Sequence, residues 1–334
     1  MAKVIGIDLG TANTLICMRG KGIILSCPSV VSVNSDTREV VALGREASRM
    51  LGKAPSGLDV IRPLRDGVIA DPDVTVKMLS ILFRKIDVIS FFSRPTVIVS
   101  VPYEVTEVEK RAVEDAVFEA GAGKVSLIPE PIAAAFGTGI RVNSARGAMI
   151  VDIGGGTTEV ALTSLGGIVS STSLRIAGNS FDEAIVNYIR LHREVLIGIV
   201  NAEELKVRIG AVHPSIPDGE LEVAGRNLRT GLGAVIRVSS SEIREALVGE
   251  LNQIVQAIKH TLELTPPELS SDIYDFGIML TGGGAMLRGI DRLIEEKTGL
   301  KVRIAKKPLL SVCAGIGRMI DDVAPGNILQ YRNR

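Results

Sequence analysis

Tryptophan is absent from this 334-residue chain, and aromatic residues of all kinds reach only 3%, as seven Phe and four Tyr. Cysteine is nearly as scarce. Cys17, Cys27 and Cys313 form no CxxC pair and leave an odd one over. That excludes a disulfide scaffold and fits buried thiols in a reducing cytoplasm. The three histidines, His192, His213 and His260, cluster with nothing in the sequence, so zinc and histidine-based catalysis are poor expectations. Net charge is missing too, with 38 Lys+Arg against 38 Asp+Glu. Such a chain has no long-range attraction to nucleic acid or to an anionic membrane surface. It also lacks self-repulsion, so copies of it can associate. No apolar run approaches the roughly 18 residues of a spanning helix. The longest uncharged stretches, such as 160–174, are broken by Gly, Ser and Thr. A strand pattern begins at Lys3, so no signal peptide is expected.

Glycine, by contrast, is abundant at 35, and hydrophobic residues make up 46%. So much Ile, Val and Leu excludes disorder. The length predicts two domains, or one with insertions. The coarse pattern is α/β. Strands are predicted at 4–9, 15–18, 96–101, 148–153, 159–165 and 276–280. Asp71-Pro72 caps a helix running to about 86, and Thr106 to Glu109 reads as a capping box for a helix that stops at Gly121. Ser239 to Glu242 is a second capping box. The helix after it carries Ile243, Leu247, Leu251, Ile254, Ile258 and Leu262 on one face and is predicted to end at Pro266-Pro267. Helices are also expected at 202–209 and 287–298, and loop with short strands at 213–229.

An internal repeat is more informative. Residues 8–14 read Asp-Leu-Gly-Thr-Ala-Asn-Thr, and residues 152–158 read Asp-Ile-Gly-Gly-Gly-Thr-Thr, an offset of 144 between Asp8 and Asp152. Both copies sit between apolar strands, so each predicts a β-hairpin with a small-residue turn. A small-residue helix follows each copy, at 130–137 and at 312–317. This predicts two pseudo-symmetric halves facing each other across a cleft, pivoting where the small-residue helices approach closely.

Small-residue turns expose backbone N–H groups in concavities suited to phosphate oxygens. Two facing turns would grip a polyphosphate from both sides. Asp8 and Asp152 would then repel it unless a cation intervenes, and Mg²⁺, which keeps its waters while bridging carboxylate to phosphate, suits that role. Each motif alone is equally a glycine hairpin turn with a capping Asp. Other phosphate signals fail: Gly123-Lys124 is followed by Val125 rather than Ser or Thr, and Gly315-Ile316-Gly317 lacks the third glycine of a dinucleotide loop. There is no GxSxG. Gly282-Gly283-Gly284 follows a strand and allows a flat group close to the backbone. Glu203 and Lys206, three apart, share a helix face, which by itself reads as a solvated pair.

In this order the motifs resemble the actin superfamily of ATPases, at 6–14, 130–137, 152–160, 280–290 and 312–320. The resemblance is closer to the MreB family of bacterial actins. It rests on Ile5-Gly-Ile-Asp-Leu-Gly-Thr-Ala-Asn-Thr14, Ile61-Arg-Pro-Leu-Arg-Asp-Gly-Val-Ile-Ala-Asp71, Gly154-Gly-Gly-Thr-Thr-Glu159, Thr265-Pro-Pro-Glu-Leu269 and Leu280-Thr-Gly-Gly-Gly284, and it spans essentially the whole chain. It implies an actin-like α/β fold of two pseudo-symmetric domains around a nucleotide cleft, each with a smaller subdomain. The implied division is IA at 1–31, 66–141 and 312–334, IB at 32–65, IIA at 142–180 and 249–311, and IIB at 181–248.

It further implies ATP and Mg²⁺ as cofactors. Thr11, Ala12, Asn13 and Thr14, with Gly154, Gly155, Gly156 and Thr157, would bind phosphates, and Asp8 and Asp152 would hold the metal through water. The segment Glu203, Glu204, Leu205 and Lys206 would contact nucleotide, Glu203 and Lys206 flanking the base, and Gly282, Gly283, Gly284 and Ala285 would contact the adenosine. Glu130 and Thr157 would position the attacking water, as in-line hydrolysis requires. Glu130 also stabilises a helix start.

Implied partners are further copies of the chain, the inner membrane and membrane-embedded wall-synthesis proteins, with no nucleic acid. The implied place is the inner face of the cytoplasmic membrane, and the implied role is the maintenance of rod shape. Two positions depart from the family pattern. Ile199-Val200 replaces a charged pair, and Pro129 stands where a second Glu is usual.

Phe91 and Phe92 are adjacent between a helix and a strand, where both cannot easily point inward, so an exposed membrane-inserting loop is expected there. The alternative class is a soluble sugar-kinase-like phosphotransferase of the same superfold, for which no catalytic base or sugar pocket is visible. A chaperone ATPase domain is a third.

Overall fold

The computed structural model describes residues 3–89 and 93–322. The predicted repeat becomes two five-stranded sheets of the same plan. The first contains β1 (Val4–Leu9), β2 (Asn13–Met18), β3 (Gly22–Pro28), β4 (Thr96–Val101) and β5 (Lys124–Pro129). The second contains β6 (Ala148–Ile153), β7 (Thr158–Ser164), β8 (Gly167–Leu174), β9 (Ile278–Thr281) and β10 (Val302–Ile304). Their orders, β5-β4-β1-β2-β3 and β8-β7-β6-β9-β10, are equivalent. In each, the first three strands pair antiparallel through hairpins and the last two join parallel by crossovers. The central strands are buried on both faces, which explains their unbroken apolar runs.

Each half inserts a small three-stranded sheet between its third and fourth strands. One is made of Val31–Asn34, Val40–Leu43 and Leu58–Ile61, the other of Val195–Leu196, Glu220–Asn227 and Gly233–Ser239. Four helices position the site: α1 (Glu130–Thr138), α2 (Gly178–Arg193), α3 (Ile199–Ile209) and α4 (Ser311–Asp322). No helix among the described residues is long and apolar enough to cross a membrane.

α1 and α4 lie where the sheets meet. One core cluster joins them to Ile98 of β4 and Ile150 of β6, with Ala133, Ala134 and Ala135 fully buried. The helices touch backbone to backbone. A Cβ built on Gly137 would stand 1.8 Å from the Ser311 carbonyl oxygen, and one on Gly315 would stand 1.7 Å from that of Ala133. No side chain larger than hydrogen fits at either position.

The structure corrects several expectations. The helix after Ser239 is two helices, Ser240–Ala246 and Val248–Glu263, separated by a turn at Leu247 (φ −95°, ψ −1°) whose side chain stays in the core. Pro267 does not only end a helix; it opens another, Pro267–Phe276, at the position where proline's missing N–H costs nothing. That helix absorbs Phe276, and Gly277, at φ 79°, turns the chain, so β9 begins later than expected. Gly284–Met286 is a 3₁₀ turn, and the helix beyond it starts only at Ile290. Within 213–229, one eight-residue strand, Glu220–Asn227, takes the place of the expected short strands. Its outer residues Glu220, Glu222, Ala224 and Arg226 are exposed, which disguised it as coil. Cys17 and Cys313 are buried, Cys27 is half-buried, and all three are free thiols.

Gly315→Ala should lower stability by about 2–3 kcal/mol through overpacking against the α1 backbone. Gly249→Ala, whose added Cβ meets nothing within 4 Å on the exposed face of its helix, should raise it by roughly 0.5–1 kcal/mol. Urea midpoints test the pair, and equal midpoints would contradict the backbone contact.

Candidate functional site: a cleft between two hairpins

The repeated motifs become equivalent hairpins. Asp8 pairs with Leu15 and Leu9 with Thr14 across the first; Asp152 pairs with Glu159 and Ile153 with Thr158 across the second. The two turns meet. A Cβ added to Gly155 would lie 2.7 Å from the Ala12 Cβ, and one on Gly156 would lie 2.7 Å from Thr11 Oγ1. The Gly67 N–H donates to Thr11 Oγ1 at 3.1 Å, tying a third turn to the same point.

Around this meeting lies a cavity of about 520 Å³, ample for a mononucleotide. Thr11, Ala12 and Asn13, then Gly154, Gly155, Gly156 and Thr157, line it together with Asp8, Asp152 and Glu130. Glu203, Lys206, Gly282, Gly283 and Gly284 line it as well.

Four residues expected at the nucleotide do not line the cavity. The Thr14 hydroxyl is buried against Ser29 Oγ, 2.9 Å away, while Ser29 Oγ donates to the Gly10 carbonyl, so this pair braces the turn from beneath. Leu205 is fully buried in the core, and Glu204 pairs outward with Arg208. A helix turns about 100° per residue, so Glu203 and Lys206 share the cleft face and the two residues between them do not. Ala285 is buried beneath the glycine loop. Phe91 and Phe92 lie outside the described residues.

Sequence reasoning missed the α2 segment. Gly178, Asn179 and Asp182 line the cavity. Lys206 Nζ pairs with Asp182 Oδ1 at 2.7 Å and donates to the Gly178 carbonyl at 2.7 Å. The apolar spacing of Phe181, Ile185 and Ile189 was the available signal. Also missed was an apolar end to the cavity: Val207, Met286 and Leu309 are 71%, 57% and 49% exposed yet all face it. Such a slot fits a flat apolar group such as a base.

The glycine loop is folded onto the end of β6. Gly282 has φ 81°, and an added Cβ would stand 2.2 Å from the Ile153 carbonyl oxygen. Only glycine satisfies both constraints there.

The electrostatics are unbalanced. Five carboxylates (Asp8, Glu130, Asp152, Asp182, Glu203) and two cations (Arg62, Lys206) line the cavity. Burial raises the Asp8 carboxyl to about 7. Burial, with repulsion from Asp8 and Glu159, raises Asp152 to about 8. Burial, then repulsion from Asp8, Glu159 and Asp152, holds Glu130 well above the usual range. An anionic polyphosphate cannot enter such a place without a countercharge. Among the described residues no three His, Cys, Asp or Glu side chains are grouped to cage a metal directly. Two buried carboxylates without a full cage match a hard, water-retaining divalent cation such as Mg²⁺.

Two equivalent sheets, two small-residue helices in backbone contact between them and a cleft lined by paired hairpins define an actin-like fold. Solved structures share it. The chain superposes on MreB5 of Spiroplasma citri bound to AMPPNP with a TM-score of 0.91 at 36% identity, covering 96% of each chain. It superposes on a subunit of a MamK double helical filament with a TM-score of 0.82 at 24% identity, covering 97% of this chain and 99% of that one, a likeness of fold alone. The MreB/Mbl protein family model matches residues 2–326, and the chain belongs to that family. Over 322 residues it is 48% identical to the cell shape-determining protein MreB of Escherichia coli K12, covering 95% of this chain and 93% of that protein. It is 47% identical to the cell shape-determining protein Mbl of Bacillus cereus over 322 residues, covering 96% and 97%.

The raised carboxyls predict an inverted pH profile. In the ligand-free folded protein Asp8 and Asp152 stay protonated where the unfolded chain has already ionised them. Their contribution to stability is therefore greatest near pH 4 and is lost as pH rises through about 7 and about 8. The ligand-free melting temperature should fall by roughly 3 °C or more between pH 6 and pH 8.5, and Mg²⁺ with nucleotide should remove the slope. A flat ligand-free profile would contradict this electrostatic picture.

Proposed function

We propose that this chain is an ATP-binding, filament-forming bacterial actin that determines cell shape by assembling on the cytoplasmic face of the membrane and organising wall synthesis. The observation that carries the reading is the contact of the two hairpin turns, Ala12 with Gly155 and Thr11 with Gly156, in front of Asp8 and Asp152. The solved S. citri relative, bound to AMPPNP in one structure and to ADP in another, supports nucleotide as the occupant. The names of the MreB and Mbl relatives support the cellular role. The four-part division into IA, IB, IIA and IIB belongs to the same proposal.

In this reading the turns hold the phosphates, and the base lies in the slot of Val207, Met286 and Leu309, with Glu203 and Lys206 beside it. Asp8 and Asp152 would hold Mg²⁺ through water, and the ion would supply the positive charge that lets phosphates approach carboxylates. Burial first, then repulsion from Asp8, Glu159 and Asp152, keeps Glu130 protonated; a cation beside the two aspartates would favour its ionised form, the proton passing to solvent. A Glu130 carboxylate oxygen then accepts a proton from a water that Thr157 helps to orient. Hydrolysis acts as a timer: nucleotide closes the cleft and favours the polymer, and turnover favours release.

Sedimentation and electron microscopy with ATP and Mg²⁺, with and without liposomes, test the proposal. Filaments are expected. No filaments under any condition, together with sugar-dependent ATP turnover, would reverse it in favour of a phosphotransferase. Glu130→Ala should slow phosphate release about a hundredfold while nucleotide still binds; wild-type turnover would remove Glu130 from its role. Phe91→Ser with Phe92→Ser should abolish liposome pelleting and spare ATP binding, because a weak anchor holds only through the many copies in a filament. Unchanged pelleting would place the membrane contact elsewhere.

A further inference from the structure

The small sheet of the first half reaches the cavity at one point. Among the described residues, Arg62 alone of 32–65 lines it, directly after the strand Leu58–Ile61. Proline follows at 63, so the backbone that carries Arg62 is held extended. Asp182 of α2 and Glu203 and Lys206 of α3, from the second half, line the same cavity.

The charges on that side do not balance. Lys206 is committed to Asp182 and to the Gly178 carbonyl, so one ammonium serves two carboxylates and one negative charge is left over. Arg62 is the only other cation lining the cavity, is half-buried, and makes no ion pair among the described residues. Its field already reaches across. Burial raises the Asp182 carboxyl to about 6, Lys206 draws it back down most strongly, and Arg62 adds to that pull.

We propose that Arg62 is the positioning residue by which the small sheet closes over bound nucleotide, its guanidinium pairing with Asp182 and Glu203 on the opposite wall. The inference rests on the nucleotide reading above and adds a specific closing contact to it. A planar fork that can engage two carboxylate oxygens at once suits a contact that must form and break in a fixed geometry. Closure of this kind acts after encounter, so it slows escape rather than speeding entry.

Stopped-flow kinetics with fluorescent ATP, ADP and AMP analogues and Mg²⁺ test it on the full chain, with circular dichroism melting as the check on folding. Arg62→Ala should raise the dissociation rate about tenfold, by the same factor for all three nucleotides, with the association rate nearly unchanged. Arg62→Lys should fall between. Arg62→Ala combined with Glu203→Gln should be no faster than the faster single variant, because both remove one interaction. An unchanged dissociation rate, additive effects, or a penalty that shrinks stepwise from ATP to AMP would overturn the proposal, the last because it marks direct contact with phosphate. If the wild-type chain binds none of the three nucleotides, it is the nucleotide reading that fails.

Discussion

Burial of carboxyl groups, reinforced by repulsion among them, is the constraint around which the cleft is organised. Asp8, Asp152 and Glu130 come from different elements, and Glu159 stands behind them as the strand partner of Asp152. Bringing such groups together out of water is unfavourable, and each carboxyl responds by staying protonated. The arrangement persists because the sheets that deliver the aspartates are held by large, separate apolar cores. In the proposed reading, a cation and a polyphosphate together would offset this electrostatic cost. On that reading, ligand binding and closure would be linked through this cost rather than through shape alone.

For the linkage to move anything, the halves must share a joint that is both tight and narrow. α1 and α4 meet that requirement. Gly137 and Gly315 bring the two backbones into contact, and Glu130, at the first position of α1, carries the cleft's charge to the start of one hinge helix. On the same reading, a change of charge at Glu130 would act at the start of a helix in backbone contact with its partner. A wider joint lined with flexible side chains would absorb the same change locally.

Much of this was legible in the sequence, for identifiable reasons. The hairpins could be read because a turn of small residues after an apolar strand has few alternatives, and the repeat of Asp8 and Asp152 made each copy support the other. Helical spacing put Glu203 and Lys206 on one face of α3, and only the family resemblance turned that face toward a nucleotide. The same spacing, applied strictly, would have excluded Glu204 and Leu205. What stayed hidden depended on tertiary position. Val207, Met286 and Leu309 are ordinary apolar residues on three separate segments, and only folding assembles them into a slot. The strand Glu220–Asn227 is polar on its outer face. The break at Leu247 leaves the apolar periodicity intact, so no pattern of side chains could reveal it.

The two departures from the family pattern differ in their bearing on the cleft. Ile199 and Val200 open α3 at its exposed end, 41% and 44% accessible, and neither lines the cavity. Replacing a charged pair there changes the outer surface and leaves Glu203 and Lys206, one turn further on, on the cleft face. Pro129 acts closer to the chemistry. It ends β5 opposite Val101 and caps α1 immediately before Glu130. A second glutamate at that position would add a carboxylate beside a group already held protonated by its neighbours. Proline removes that charge and fixes the backbone where strand passes into helix. In the proposed mechanism the acid–base role of the segment would rest on Glu130, set at a rigid junction with no second glutamate beside it in sequence.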